Sequence, residues 1–422
     1  MKRFLKYSFL SFILIAVWVI VIFLGTDKGW WHAPFTQENE PNKFISSVEV
    51  ELQNDFVGSM AIGVFKDGKI VKESFHSNGK TVDRNTVFQV ASLSKFVSAI
   101  GVMKLVQDGR LDLDVPINQY LTRWHLPKSD FDDSKVTVRR LLSHTAGLTD
   151  GLGYAGFENT EDVQTLEASL TKAKDADLGS DGRTVVGIEP GIEWRYSGGG
   201  FTLLQIIVEE VSGQSFDAYM KTEIFEPLQM TSSFYEWDER FRESVADFYN
   251  SDGSKARHRY YTAQAASALY TTLADLEKLL YLFDKDHINQ KPLSTDFQKM
   301  MWQAEAETLG APIYGLGTFL YTEIDNQNFI IGHDGKNNPS INTAFRYNPI
   351  ANDGIIILTT GSNDFATRIA SDWVYIHTAK VDALLFAMQQ GQMLQCMAIG
   401  GMIIILGIII IAFFRKHQKR NK

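Results

Sequence analysis

With 422 residues, 45% of them hydrophobic and 22% charged, the chain can bury a large core, and it lacks the composition of a disordered or low-complexity protein. Its formal net charge of −9 disfavours nucleic acid or any other polyanion as a ligand, the more so because basic residues collect at the two ends and leave the middle more acidic still. Cys396 is the sole cysteine, which excludes a disulfide within one chain and argues against a cysteine metal site or a cysteine nucleophile.

Residues 8–25 run without a charge, as do residues 397–414, and each stretch reaches the length at which a membrane-spanning helix is expected. Lys2, Arg3 and Lys6 precede the first, and Arg415, Lys416, Lys419, Arg420 and Lys422 follow the second. Basic flanks on both tails predict two spans, both termini cytoplasmic, and everything between facing outward at the cell membrane. A cleavable signal peptide is the rival reading of the first span, but no small-x-small site closes it, so an uncleaved anchor is favoured. Trp30 and Trp31 just beyond it read as an interfacial belt or as a packed loop.

Residues 26–43, with Pro34 and Pro41, read as a linker, and the folded domain is expected over 44–378. Two β-prone runs, 60–65 and 70–75, flank Asp67-Gly68 and predict a tight hairpin. From Leu93 the residues Phe96, Val97, Ile100, Met103 and Val106 keep helical spacing up to the stop at Asp108-Gly109. Residues 111–311 read as a helical insert, with Leu203, Ile206, Ile207 and Val211 before Gly213 as its clearest helix and 159–189 as a polar loop. After Gly315 the pattern turns to strands at 316–321, 329–332, 343–347 and 355–358. Asp364 reads as the N-cap of a helix over 365–376, followed by a membrane-proximal segment, 379–396, in which 381–388 continues toward the second span. The fold class is therefore α/β, an antiparallel sheet assembled from both ends of the domain with helices against it.

A Ser-x-x-Lys pair on a helix puts both side chains on one face, one turn apart, so that a lysine held neutral can take the serine proton. The chain contains three such pairs, Ser77/Lys80, Ser92/Lys95 and Ser169/Lys172. Only Ser92 stands at the mouth of an apolar helix, where burial would depress the Lys95 pKa and the helix N-terminus would favour an oxyanion. Taken alone, Ser92 reads more readily as a helix N-cap.

Its surroundings change that reading. The run Phe88-Gln89-Val90-Ala91-Ser92-Leu93-Ser94-Lys95 is followed, in order, by Leu105-Val106-Gln107-Asp108-Gly109-Arg110-Leu111-Asp112-Leu113 and by Leu141-Leu142-Ser143-His144-Thr145-Ala146-Gly147-Leu148. Then come Pro190-Gly191 with Tyr196-Ser197-Gly198, Glu226-Pro227-Leu228 and Gly332-His333-Asp334-Gly335. This series, covering about residues 55–363, resembles the class C β-lactamases, the penicillin-binding D-alanyl-D-alanine peptidases and their related esterases. The resemblance implies a β-lactamase/transpeptidase-like fold and a Ser92 acyl-enzyme, with Tyr196 as second proton-transfer group. It also implies that Gly335 is a small residue on the strand lining the site, and that His333 stands where the family has lysine or histidine. His144 is read as structural.

A phenol beside a protonated lysine would have its pKa lowered, and the backbone N–H groups of Ser92 and Lys336 are candidates for an oxyanion hole. Without the family context Tyr196 reads as a packed aromatic and His333 as a structural imidazole. No His-Glu-x-x-His or similar ligand spacing points to zinc, and no cofactor is implied. One departure stands out: Gly198 occupies the place of an asparagine that helps hold amide substrates, which leans the expectation toward esters or D-alanyl substrates over efficient β-lactam turnover. The expected partners are a small-molecule or cell-wall peptide or ester substrate and the lipid bilayer. The alternatives are an acylated receptor that does not turn over and an inactive binding scaffold.

Overall fold

The computed structural model describes residues 2–53, 56–151, 153–283, 291–308, 310–325 and 327–418; Lys419, Arg420 and Lys422 of the basic tail lie outside them. The chain divides into two compact units, Phe35–Trp373 and a second made of Met1–Pro34 with Val374–Lys422.

The first unit opens with α2 (Pro41–Leu52), following α1 (Lys2–Asp27) of the other unit. Residues 35–43, read from sequence as linker, belong to this unit, and Phe35 packs edge-on against Phe44 at 5.3 Å. Pro41 enters at the start of the helix, where its missing N–H costs nothing, and Phe44, Ile45, Val48 and Leu52 are buried along one face. Next comes the expected hairpin, β1 (Ser59–Lys66) and β2 (Lys69–Ser77). Asp67 and Gly68 between them have φ of 53° and 73°, the doubly left-handed turn that matches strand twist. After β3 (Phe88–Gln89) the helices α3 (Leu93–Gln107), α4 (Val138–Leu142), α5 (Leu166–Thr171), α6 (Gly198–Ser212) and α7 (Phe216–Met220) follow. The short strands β4 (Phe248–Tyr249), β5 (Lys255–Ala256) and β6 (Tyr270–Thr271) alternate with α8 (Gln264–Ser267), α9 (Leu273–Leu279) and α10 (Thr295–Trp302).

The last strands are β7 (Ala306–Thr308), β8 (Ala311–Tyr314), β9 (Phe319–Asp325), β10 (Asn328–Asn337), β11 (Ile341–Asn348) and β12 (Asp353–Thr360). They join the hairpin in one eight-stranded sheet of order β2-β1-β12-β11-β10-β9-β8-β7. Both ends of the unit thus build one antiparallel sheet, as the alternation of strand and helix patterns predicts. The sheet starts earlier than Gly315, because β7 and β8 are too short, and too broken by Pro312, to show a strand period. Residues 159–189 also hold more order than a polar loop: Thr165 caps α5, and Leu166 and Leu170 are buried from it. α3 is buried from Leu93 through Met103, the position of a helix with apolar residues all round. It packs between the sheet, at β10 and β11, and the helices α6 and α8.

α11 (Phe365–Thr378) follows β12. Asp364 stands at its N-cap by backbone, its carbonyl accepting from Arg368 N–H at 2.8 Å, but the hydroxyl of Ser362 caps Phe365 N–H at 3.1 Å. In the second unit α1 packs against α12 (Ala383–Gln418), with Trp18 Nε1 donating to the Cys396 carbonyl at 3.1 Å and the indole lying over Gly400. Both helices are long and apolar enough to cross a membrane. The segment expected as membrane-proximal is one continuous helix with the second apolar stretch from Ala383 onward.

Candidate active site

Ser92 sits where the chain enters α3 through a tight turn. Ala91 has φ of 49°, a left-handed conformation that costs an alanine about 1–2 kcal/mol. The turn is held from two sides: Val90 N–H donates to Leu269 O at 3.0 Å, and the Thr343 hydroxyl of β11 donates to Val90 O at 2.8 Å. Ser92 has helical backbone angles and its side chain caps nothing. The N-cap reading therefore falls, and its hydroxyl instead accepts from Lys95 Nζ at 3.1 Å. Ser92 N–H has no partner among the described residues.

Lys95 is fully buried, with Nζ also donating to Ala266 O of α8 at 2.9 Å and standing 4.9 Å from the Tyr196 ring centroid. Among the described residues no carboxylate forms a salt bridge with it. Burial lowers its pKa to about 7, against the smaller opposing pull of Asp150 and Asp177. A substantial fraction of the amine is therefore neutral near pH 7, with a lone pair beside the serine hydroxyl.

Tyr196 lies two residues before α6, with its ring against Lys95 Nζ and its phenol close enough to the Ser92 side chain for that neighbour to pull its pKa down. Its pKa moves opposite to the expectation from sequence. Burial is the main cause of the rise and the charge of Asp334 adds to it, while the Ser92 side chain opposes. Burial therefore keeps the proton on the phenol. The residues behind Tyr196 are fixed by Asp150, which is buried and accepts from the Ser197 hydroxyl and from Gly199 N–H at 2.7 Å. Gly198 begins α6, and a Cβ on it would meet the Tyr154 ring at 2.8 Å. The space of the family's asparagine is thus partly filled by Tyr154, whose hydroxyl pairs with Thr202 at 3.0 Å.

The opposite wall is β10. β9 pairs with it only over Asn328 to Gly332, so the backbone from His333 to Asn337, including Lys336, has no strand on that side. His333 is buried, with Nδ1 donating to Asp334 O at 2.6 Å and Nε2 accepting from the Tyr314 hydroxyl at 2.9 Å. Burial, with Lys95 nearby, drops its pKa to about 3, so the imidazole is neutral and has both nitrogens engaged. Asp334 projects from the other face of the strand, where Arg346, Tyr321 and Thr367 of α11 hold it. At Gly335 a Cβ would stand 2.0 Å from Val90 O. A bare Cα here lets β10 lie directly on the turn that carries the nucleophile.

The beta-lactamase family model matches residues 48–379. The chain belongs to the beta-lactamase family. Among curated relatives, Protein flp of Staphylococcus aureus (strain MRSA252) is 23% identical over 76% of this chain and 63% of its own length. The putative penicillin-binding protein PbpX of Bacillus subtilis (strain 168) is 28% identical over 54% of each chain. The chain thus spans less than two thirds of the length of these relatives. Among solved structures, the octameric penicillin-binding protein homologue from Pyrococcus abyssi superposes with a TM-score of 0.65 at 25% identity, over 81% of this chain and 78% of that one. The β-lactamase/D-alanine carboxypeptidase from Pseudomonas syringae gives 0.61 at 17% identity, over 79% and 98%.

Within this family fold Ser92 meets Lys95, Lys95 lies against the Tyr196 ring, His333 stands beside Tyr196, Gly335 abuts the turn before Ser92, and Lys336 follows on the unpaired edge of β10. Reading the sequence missed the partners that fix them: Ala266, Thr343, Tyr314 and Asp150. Asp150 alone left a trace, as a lone acid two residues past the apolar end of the Leu141–Leu148 run. The others are ordinary core residues until the fold brings them to the site.

Proposed function

We propose that the chain is a serine hydrolase that acts by acyl transfer through Ser92. The observation that carries this reading is the contact of Ser92 Oγ with the buried, uncompensated amine of Lys95. Neutral Lys95 takes the hydroxyl proton as Oγ attacks the substrate carbonyl. The oxyanion is stabilised by Ser92 N–H and, across the cleft, by Lys336 N–H on the unpaired edge of β10. Tyr196, with its proton retained, donates to the departing alkoxide or amine and is reprotonated from Lys95, which returns to the neutral form; in deacylation Lys95 takes the proton of the attacking water and Tyr196 returns one to Ser92 Oγ. His333 takes no proton in this scheme; it orders the wall behind Tyr196.

Names in the family point to penicillin and D-alanine substrates, and the occupied space at Gly198 favours esters or D-alanyl substrates over efficient β-lactam turnover. The two apolar helices support a membrane anchor. The basic tails in the sequence support an arrangement with both termini cytoplasmic and the hydrolase unit outside. A fluorophosphonate probe on the full chain, followed by esters, D-alanyl peptides and a chromogenic cephalosporin, tests the proposal. Labelling at Ser92 and ester turnover are expected; labelling elsewhere, or none, sinks it.

A further inference from the structure

His144 stands just past α4, and the mechanism above gives it no step. It nonetheless grips both residues that flank Tyr196. Its main-chain carbonyl accepts from Arg195 N–H at 2.8 Å, and its Nδ1 accepts from Ser197 N–H at 3.1 Å. Between those two bonds its ring lies against the Tyr196 ring, centroids 4.3 Å apart. Tyr314, whose hydroxyl engages His333, backs the imidazole at 4.8 Å.

Packing alone does not account for a histidine at this place. His144 is buried and adopts φ of 58°, a conformation most side chains avoid. With Nδ1 accepting, Nε2 must carry the hydrogen, and Nε2 is buried with no partner among the described residues. An apolar ring would fill the same volume without stranding a donor. What the imidazole alone supplies is an acceptor aimed at the residue after Tyr196.

We propose that His144 is the positioning residue of Tyr196, a neutral imidazole that fixes the phenol against Ser92 by bonding on either side of it. This rests on the reading of Tyr196 as proton donor in acyl transfer. His144 touches neither substrate nor reacting atoms. Burial and the neighbouring Lys95 keep it unprotonated, the form in which Nδ1 can accept.

The test is a double-mutant cycle on the full chain in detergent, read by turnover of an activated ester and by fluorophosphonate labelling. His144→Phe keeps the stacked ring and loses the acceptor; His144→Asn keeps an acceptor. His144→Phe should lower kcat about tenfold or more with little change in KM, because a small misplacement of a catalytic group is costly. His144→Asn should recover part of the loss. In a Tyr196→Phe background the same substitutions should change kcat by less than about twofold, since nothing is left to position. Equal losses in both backgrounds, or wild-type kcat in His144→Phe, overturn the proposal. If His144→Phe does not fold, His144→Asn carries the cycle, and a loss of equal size in both backgrounds again overturns it. A Tyr196→Phe variant with unchanged kcat would remove the reading of Tyr196 itself, a different failure from additive losses.

Discussion

Two helices of this chain carry a Ser-x-x-Lys pair, and burial is dealt to the two residues in opposite order. At the start of α3 the lysine is 0% exposed and the serine is only half-buried. On α5 the serine is 1% exposed, its hydroxyl without a partner among the described residues, and Lys172 is exposed at the helix end. The spacing is identical, so it is the environment that separates the two pairs. A serine must be reachable and its lysine must be dry; the reverse gives an inert hydroxyl and a solvated cation.

Removing the serines should separate the two pairs most sharply. Ser92→Ala should abolish fluorophosphonate labelling and lower ester turnover by about three orders of magnitude or more, since loss of a nucleophile removes the covalent route altogether. Ser169→Ala should keep activity and match or exceed wild-type melting temperature, because it deletes an unsatisfied buried hydroxyl. Activity lost in Ser169→Ala with Ser92→Ala unaffected would invert the comparison.

The lysines come next. Lys95→Met should cost roughly 10²–10⁴-fold in kcat, the usual worth of a positioned base, whereas Lys172→Met, on the surface, should stay within about 0.5 kcal/mol in stability and leave turnover unchanged. Stopped-flow acylation and thermal melts on the paired variants decide between them.

A third test uses pH. Lys95 must be neutral to accept a proton, and its pKa is lowered to about 7. The acylation rate of the wild type should therefore rise about tenfold per unit below pH 7 and level off above it, and the limb should vanish in Lys95→Met. A limb near the ordinary lysine range would show Lys95 to be solvated like Lys172. The same shift has a sign for stability. Above about pH 7 the folded chain has released the Lys95 proton that the unfolded chain still holds. The site's contribution to unfolding free energy therefore grows as pH rises from there toward the usual lysine pKa.

The smallest expected effect is at Gly198. Gly198→Asn would drive its Cβ into Tyr154 and should cost about 1–3 kcal/mol in stability, an overpacking penalty, with no gain in cephalosporin turnover. Combined with Tyr154→Ala it should regain part of the melting temperature. Relative to the uncatalysed rates, the wild type should accelerate an activated ester more than a chromogenic cephalosporin. The opposite ranking would end the ester-leaning reading and leave Ser92 and Lys95 in place.

What the sequence disclosed follows from how local each signal is. α3 and the β1/β2 hairpin were legible because an apolar helix and an Asp-Gly turn are written in consecutive residues. α2 is written in Phe44, Ile45, Val48 and Leu52 after Pro41 but was not read as a helix, and its first turn fell inside the expected linker that Pro34 and Pro41 suggested. β7 and β8 had too few residues to show a period. At the site, the family motifs marked Ser92, Lys95 and Tyr196 in order along the chain. The direction of the Tyr196 shift was not legible, since it comes mainly from how completely the fold buries the phenol itself. Nor was the crowding at Gly198, which comes from Tyr154, forty-four positions earlier.

The contact at Gly335 makes the cleft a calibrated gap. With Val90 O in the place a Cβ would take, one hydrogen atom is the spacer between β10 and the turn holding Ser92. The width across which an oxyanion must be grasped is then set by a contact that involves no reacting group. On the proposed mechanism, displacing β10 by a few tenths of an ångström, for instance through the Asp334–Arg346 pairing on its other face, would detune the grip without altering any residue that touches substrate. On the proposed mechanism, acylation rate would be a gauge of sheet geometry, and second-site changes in β10 and β11 would adjust it.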